Sequence, residues 1–186
     1  MVLPIVAYGS SILHKRCKDI QSDYLNLDIL IENMFETMYN ARGVGLAAPQ
    51  INKDIRLFVV DTTPFFKEEE VDGTPIKKVF INANIIQEEG EGELFNEGCL
   101  SIPEIREDIN RKSKITIEYL DEEFNKCKQD YDGVNARVLQ HEYDHIEGIL
   151  FTDKLSPLRK RVLKSKLVNI SKGNIEVDYK MSFTKK

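Results

Sequence analysis

Two stretches of this 186-residue chain place apolar side chains at helical spacing, and several others alternate or run together as strands do. From Ser22, read as an N-cap, Leu27, Leu30, Ile31, Met34, Phe35 and Met38 share one helix face that ends near Arg42 and Gly43. Ser156 and Pro157, a cap followed by proline at the first helical position, open a second helix carrying Leu158, Val162, Leu163, Leu167 and Ile170 as far as Gly173. Residues 2–8 are extended and turn at Tyr8 to Ser11 into a short helical piece around Leu13. Ile55 to Asp61 and Val79 to Ile86 read as strands, and the loop between them, with Glu68, Glu69, Glu70, Asp72 and Gly73, reads as a solvated excursion. Ile115 to Leu120 alternates as a half-buried strand, and residues 126–131 return antiparallel to it. A last alternating stretch, Ile175 to Met181, predicts a final strand.

Ala136 to Gln140 form a helix-compatible run that continues through two histidines to Gly148, where a C-terminal glycine is expected. Short strands and a few helices without regular alternation predict an α+β fold, with antiparallel β-sheets packed around this central helix, then a C-terminal helix and a final short strand. Length and an apolar content of 41% fit a single domain over residues 1–186.

Charge and cysteine usage narrow the class. The formal charge of −5 argues against a protein that binds nucleic acid through its whole surface, so no DNA partner is expected. The three cysteines, Cys17, Cys99 and Cys127, are an odd set with no Cys-x-x-Cys, which is no disulfide framework and fits a reducing compartment. The N-terminus does not read as a signal peptide, and no apolar run approaches membrane-spanning length. A soluble, cytoplasmic protein without a membrane partner is expected.

The chemistry concentrates in Gln140-His141-Glu142-Tyr143-Asp144-His145. On a helix, residues four apart stand one above the other, so His141 and His145 can chelate one divalent ion. Glu142, a step round from His141, is placed to move protons without being drawn in as a ligand, first as general base and then as general acid. The plainer alternative is a pair of packed core histidines. A catalytic metal needs a third protein ligand, and Cys99, between Gly98 and Leu100-Ser101, offers a thiol where backbone can approach closely. Taken by itself it could be an inert buried thiol. A thiolate with two imidazoles suits Fe2+, Zn2+, Ni2+ or Co2+ rather than Mg2+ or Ca2+. Gly43 to Gln50 is the other unusual stretch. Gly43 can cap the preceding helix, whereas the Gln50 amide near a metal could donate to a developing oxyanion, unless it is only an exposed loop residue.

In their order along the chain, Gly43 to Gln50, Glu97 to Ser101 and Gln140 to His145 resemble the three motifs of the peptide deformylase family. The resemblance implies antiparallel sheets around the histidine helix and removal of the N-formyl group from N-formylmethionyl nascent peptides. It further implies Cys99, His141 and His145 as metal ligands, usually for Fe2+, Glu142 as acid and base, and Gln50 with the Leu100 N–H as oxyanion donors. Gly45 and Gly98 are similar to positions where substrate backbone pairs as an added strand, and Val44 to one lining the methionine pocket. Glu97 and Arg106 match positions near the cleft, with a surface ion pair between them as the alternative.

The chain also departs from the family pattern. Asn125 is expected in the left-handed conformation after the strand ending near Asp121, where many relatives turn at a glycine. Arg137 stands where some relatives carry an apolar pocket residue, implying a more polar rim. Residues 156–186 hold nine Lys or Arg against Glu176 and Asp178. The segment is expected to be either a solvated face or, given the substrate, a surface docking on ribosomal RNA. The rivals are a zinc endopeptidase built on the same helix motif and a closed structural zinc site.

Overall fold

The computed structural model describes residues 1–68 and 73–183. Five antiparallel strands form the main sheet in sequence order: β2 (Gly45–Ala47), β3 (Leu57–Asp61), β4 (Lys77–Cys99), β5 (Ile102–Leu120) and β6 (Lys126–Asp132). Four helices accompany it: α1 (Leu27–Asn40), α2 (Thr63–Glu68), α3 (Gly133–Ile146) and α4 (Pro157–Ser171). β1 (Ile5–Val6) and β7 (Met181–Ser182) form a separate two-stranded pair.

The centre of the sheet shows why strands and helices sit where they do. β3 is buried on both faces, and its residues alternate between two clusters. Leu57 and Val59 pack with Ile31, Met34 and Met38 of α1, while Phe58 and Val60 pack with Ala136, Leu139 and Ile146 of α3. A third cluster joins Val6 and Leu13 to Ile102, Ile105 and Ile109 of β5 and to Leu163, Leu167 and Ile170 of α4. The apolar face of α1 is the one the spacing predicts, whereas in α4 only Leu163, Leu167 and Ile170 face the core and Leu158 and Val162, expected on the same face, are exposed. The predicted α+β architecture around a central helix is observed.

Several expectations need correction. Ser22 does not cap α1, which begins after Asn26 in a left-handed conformation (φ 56°). The strand expected at Val79 to Ile86 runs on to Cys99, and the one expected at Ile115 to Leu120 starts at Ile102, so the two form one long hairpin rather than short strands. The final strand spans only Met181–Ser182, and it pairs with β1 in parallel, so this pair is not antiparallel. Between β5 and β6 the left-handed residue is Phe124 (φ 61°), not Asn125. The Asp121 carboxylate makes that turn, accepting from the backbone N–H of Glu123 at 3.0 Å and of Asn125 at 2.8 Å. Of the excursion expected from Glu68 to Gly73, residues 69–72 lie outside the described residues, as do Lys185 and Lys186.

Candidate metal centre

α3 is an unusual helix because it buries polar side chains. Arg137, Gln140, Glu142, Asp144 and His145 are all nearly inaccessible, and a buried polar group without a partner is costly. The hairpin supplies most of the partners. Gln140 Nε2 donates to Glu88 at 2.8 Å, Arg137 Nη2 to Glu93 at 2.6 Å, and His141 Nδ1 meets Glu97 Oε2 at 2.9 Å. Glu97 also takes both arms of Arg111, whose third nitrogen, Nη1, reaches Asp144 at 2.8 Å. Lys154 adds a second cation to Asp144 at 3.0 Å.

The same register brings Cys99, the last residue of β4, over the histidine face of α3. Cys99, His141 and His145 each offer a donor atom, all within 4.8 Å of one another. Cys99 Sγ and His145 Nε2 are 3.3 Å apart. Two ligands of one tetrahedral ion with Zn-like bond lengths stand roughly 3.5 Å apart, so the spacing fits. Glu97 engages Nδ1 of His141 and so leaves Nε2 for a ligand bond, the arrangement that orients a metal-bound imidazole.

Electrostatics support the same reading. Burial disfavours charge on both imidazoles. At His141 hydrogen bonds to Cys99 and Glu97 outweigh burial and raise the pKa, whereas at His145 burial and the charges of His141 and Arg111 lower it. His145 is thus held neutral, the form of imidazole that ligates a metal. Burial would raise the Glu97 carboxyl, but hydrogen bonds and charge from Arg111 and His141 hold it down at about 2. At Glu142 the charges of His141 and Arg111 compensate only in part. Burial pushes it up to about 7, and its Oε2 finds no hydrogen-bond partner.

Every site residue expected from the sequence except His145, which lies deeper, lines one cleft of about 970 Å³. A side chain at position 45 would collide with the Glu142 carboxylate, so Gly45 is what lets that acid reach the cleft. Gln50 is buried and not an exposed loop residue. Its Oε1 accepts from the Ala47 N–H at 2.8 Å, which turns Nε2 toward Cys99 Sγ (3.5 Å) and Ser101 Oγ (3.3 Å). Gly98 pairs with Arg106 across the hairpin end. The surface ion pair between Glu97 and Arg106 does not form: Arg106 binds Asn96, by Nε to its side chain at 2.8 Å and by Nη2 to its carbonyl at 2.6 Å.

The expectations drawn from the sequence missed Arg111, Asp144, Ser101 and Tyr179. Arg111 had a signal: it falls in the inward phase of Ile105, Ile109, Ile115 and Ile117, once that strand is extended back to it. Ser101 and Asp144 fall inside two of the motifs singled out, but their partners Gln50 and Arg111 lie far off in sequence, and Tyr179 has no local signal.

The fold and donor set define a metal-dependent hydrolase. A family profile described as Polypeptide deformylase matches residues 2–161. The chain is 59% identical to a peptide deformylase of Christiangramia forsetii, covering 98% of this chain and 96% of that one. It is 55% identical to one of Flavobacterium psychrophilum, covering 100% and 99%. A crystal structure of a peptide deformylase from Legionella pneumophila superposes with a TM-score of 0.81 at 36% identity, covering 94% of this chain and 98% of that one. The chain belongs to the peptide deformylase family, hydrolases that remove the N-formyl group from newly made polypeptides. Among the described residues no helix is long and apolar enough to cross a membrane.

Proposed function

We propose that residues 1–186 act as one catalytic domain in which Cys99, His141 and His145 hold a single Fe2+, with Zn2+, Ni2+ or Co2+ as substitutes. Its substrates are the N-formylmethionyl ends of nascent peptides in the cytoplasm. The observation that carries this reading is the convergence of one thiol and two imidazoles beside a partnerless Glu142 carboxylate in one cleft. A metal ion held there supplies Lewis acidity, polarising the formyl oxygen and acidifying water.

The chain's own groups do the rest. Glu142 Oε2, in a carboxyl whose pKa burial raises to about 7, accepts a proton from the attacking water and delivers it to the nitrogen as the C–N bond breaks. The water oxygen ends in formate and its proton on the new amine. Gln50 Nε2 and the Leu100 N–H donate to the carbonyl oxygen as it gains charge. Glu97 acts at one remove, orienting His141 from its place on Arg111. β2 is an edge strand, so a substrate can lie extended between Gly45 and Gly98 with Val44 against its first side chain and Arg106, braced by Asn96, at the mouth. Arg137, in the lining one turn before His141, makes that pocket more polar.

The test is a formyl-Met tripeptide assay with Fe2+ under anaerobic conditions, run beside metal analysis. Cys99→Ser should lose most of its metal, because a neutral hydroxyl is a poor ligand, while Cys17→Ser and Cys127→Ser keep metal and activity. Full metal and full turnover in Cys99→Ser would place the third ligand elsewhere. Cleavage of an unformylated longer peptide would instead favour the endopeptidase.

For the partner, we propose that the basic segment 156–186 docks on ribosomal RNA. α4 turns Leu163, Leu167 and Ile170 to the core and leaves Arg161, Lys164 and Lys166 exposed. Arg159 is already spent on Glu107, Nε to Oε2 at 2.7 Å. Reversing Arg161, Lys164 and Lys166 to Glu should weaken ribosome co-sedimentation in a salt-dependent way and leave peptide turnover intact. Unchanged sedimentation at low salt retires the docking.

A further inference from the structure

The chain beyond α4 reaches back to the metal centre. After Gly173 (φ 77°) it returns across the molecule to β7, where Met181 and Ser182 pair with Ile5 and Val6. Ile5 N donates to Lys180 O at 2.8 Å and Ala7 N to Ser182 O at 2.9 Å. This ribbon of the two ends of the fold lies against the turn that carries the thiol. Cys99 pairs with Ile102, so Leu100 and Ser101 are the two central residues of that turn. Both their carbonyls are taken from outside: Tyr8 N donates to Ser101 O at 2.8 Å, and Tyr179 OH donates to Leu100 O at 2.8 Å. From inside, Gln50 Nε2 meets Ser101 Oγ at 3.3 Å.

The bond from Tyr179 falls on the central peptide of the turn, Leu100–Ser101. That peptide is the one a tight turn can flip by compensating rotations on either side, which is how turn types interconvert. A flip would exchange the directions of Leu100 O and the Ser101 N–H, bringing a carbonyl acceptor to the inner side of the turn, beside the Leu100 N–H and the Ser101 hydroxyl that Gln50 contacts. The Tyr179 ring itself lines the cleft and packs, as Leu3 and Leu100 do, against the core cluster under α1, which holds its hydroxyl over Leu100 O. The ion pair from Arg42 to Asp178 at 2.7 Å is exposed on both sides and adds little.

We infer that Tyr179, supplied by the C-terminal return beyond the matched residues 2–161, is a positioning residue that holds the Leu100 turn in the conformation the reaction needs. The inference rests on the reading of the Leu100 N–H as an oxyanion donor.

Tyr179→Phe removes the hydroxyl and keeps the ring. In the metal-loaded full chain it should lower kcat for a formyl-Met tripeptide by roughly two- to tenfold, the worth of one neutral hydrogen bond. KM, metal content and melting temperature should stay at wild-type values. A tetrahedral phosphorus analogue of the formyl-methionyl group should bind more weakly by the same factor, while the deformylated product peptide binds as before. Wild-type kcat in Tyr179→Phe overturns the inference. So does a loss that appears in KM, metal content or melting temperature alone, which would make Tyr179 a structural residue. Gln50→Ala separates the two levels. If it leaves kcat intact, the oxyanion reading itself fails; if it lowers kcat while Tyr179→Phe does not, only the role of Tyr179 is lost.

Discussion

α3 and the β4–β5 hairpin face each other across the centre and could hardly differ more in how they are built. α3 carries two of the proposed ligands and the proposed acid within five residues, so its chemistry is local. The hairpin carries the third proposed ligand at its very end, and everything it contributes depends on register over some twenty residues on each side. The two are joined by polar pairs, Glu88 to Gln140, Glu93 to Arg137 and Glu97 to His141, instead of an apolar seam. Such a seam contributes little net stability, because desolvating each group offsets its pairing. It does fix register, since a slip of one residue would strand several buried charges.

The largest effect should come from the helix side. Glu142→Gln keeps shape and metal but cannot carry a proton, and turnover should fall by about 10² to 10⁴-fold. Loss of stoichiometric metal in that variant would assign Glu142 to the ligand set instead.

Next comes the join itself. Arg111→Met leaves Glu97 and Asp144 with less compensation in a buried site, and urea unfolding should show a loss of about 3–5 kcal/mol. A change below 1 kcal/mol would mean that the polar seam does not hold the hairpin to the helix.

A smaller effect sharpens the same point through pH. The folded pKa of Glu97, about 2, lies below its ordinary 4.5, so its contribution is complete above roughly 4.5 and disappears as pH falls through about 2. Wild-type melting temperature should therefore decline across that window. Arg111→Met should flatten this part of the decline, because Glu97 then titrates nearer its ordinary value; parallel curves would contradict the assignment.

The smallest effect belongs to the hairpin's outer face. Lys114 stands opposite Glu89, and Lys114→Glu should cost roughly 0.2–1 kcal/mol in the same unfolding assay with no change in turnover. A large loss of activity there would show that the outer face also governs the site.

The contrast explains what could be read in advance. Helices α1 and α4 were legible because their inward faces are apolar at helical spacing. The middle of the hairpin was not, because Glu97 is buried and Glu88 and Glu93, themselves exposed, partner polar side chains of α3, so no apolar alternation marks the strand. The left-handed Phe124 was misplaced by one residue for a similar reason. The Asp121 carboxylate decides that turn, and residue preference favoured Asn125.

By itself the sequence determined the proposed ligand types, the proposed acid and the helix that carries most of them, because those relations span at most a few residues and follow from helical geometry. Only the tertiary structure decided that Cys99 meets His145, that Glu97 serves His141 and Arg111 instead of Arg106, and that Tyr179 reaches Leu100. Each of these joins positions tens of residues apart, and such contacts are set by strand register and by the desolvation of buried charge, which no local pattern encodes.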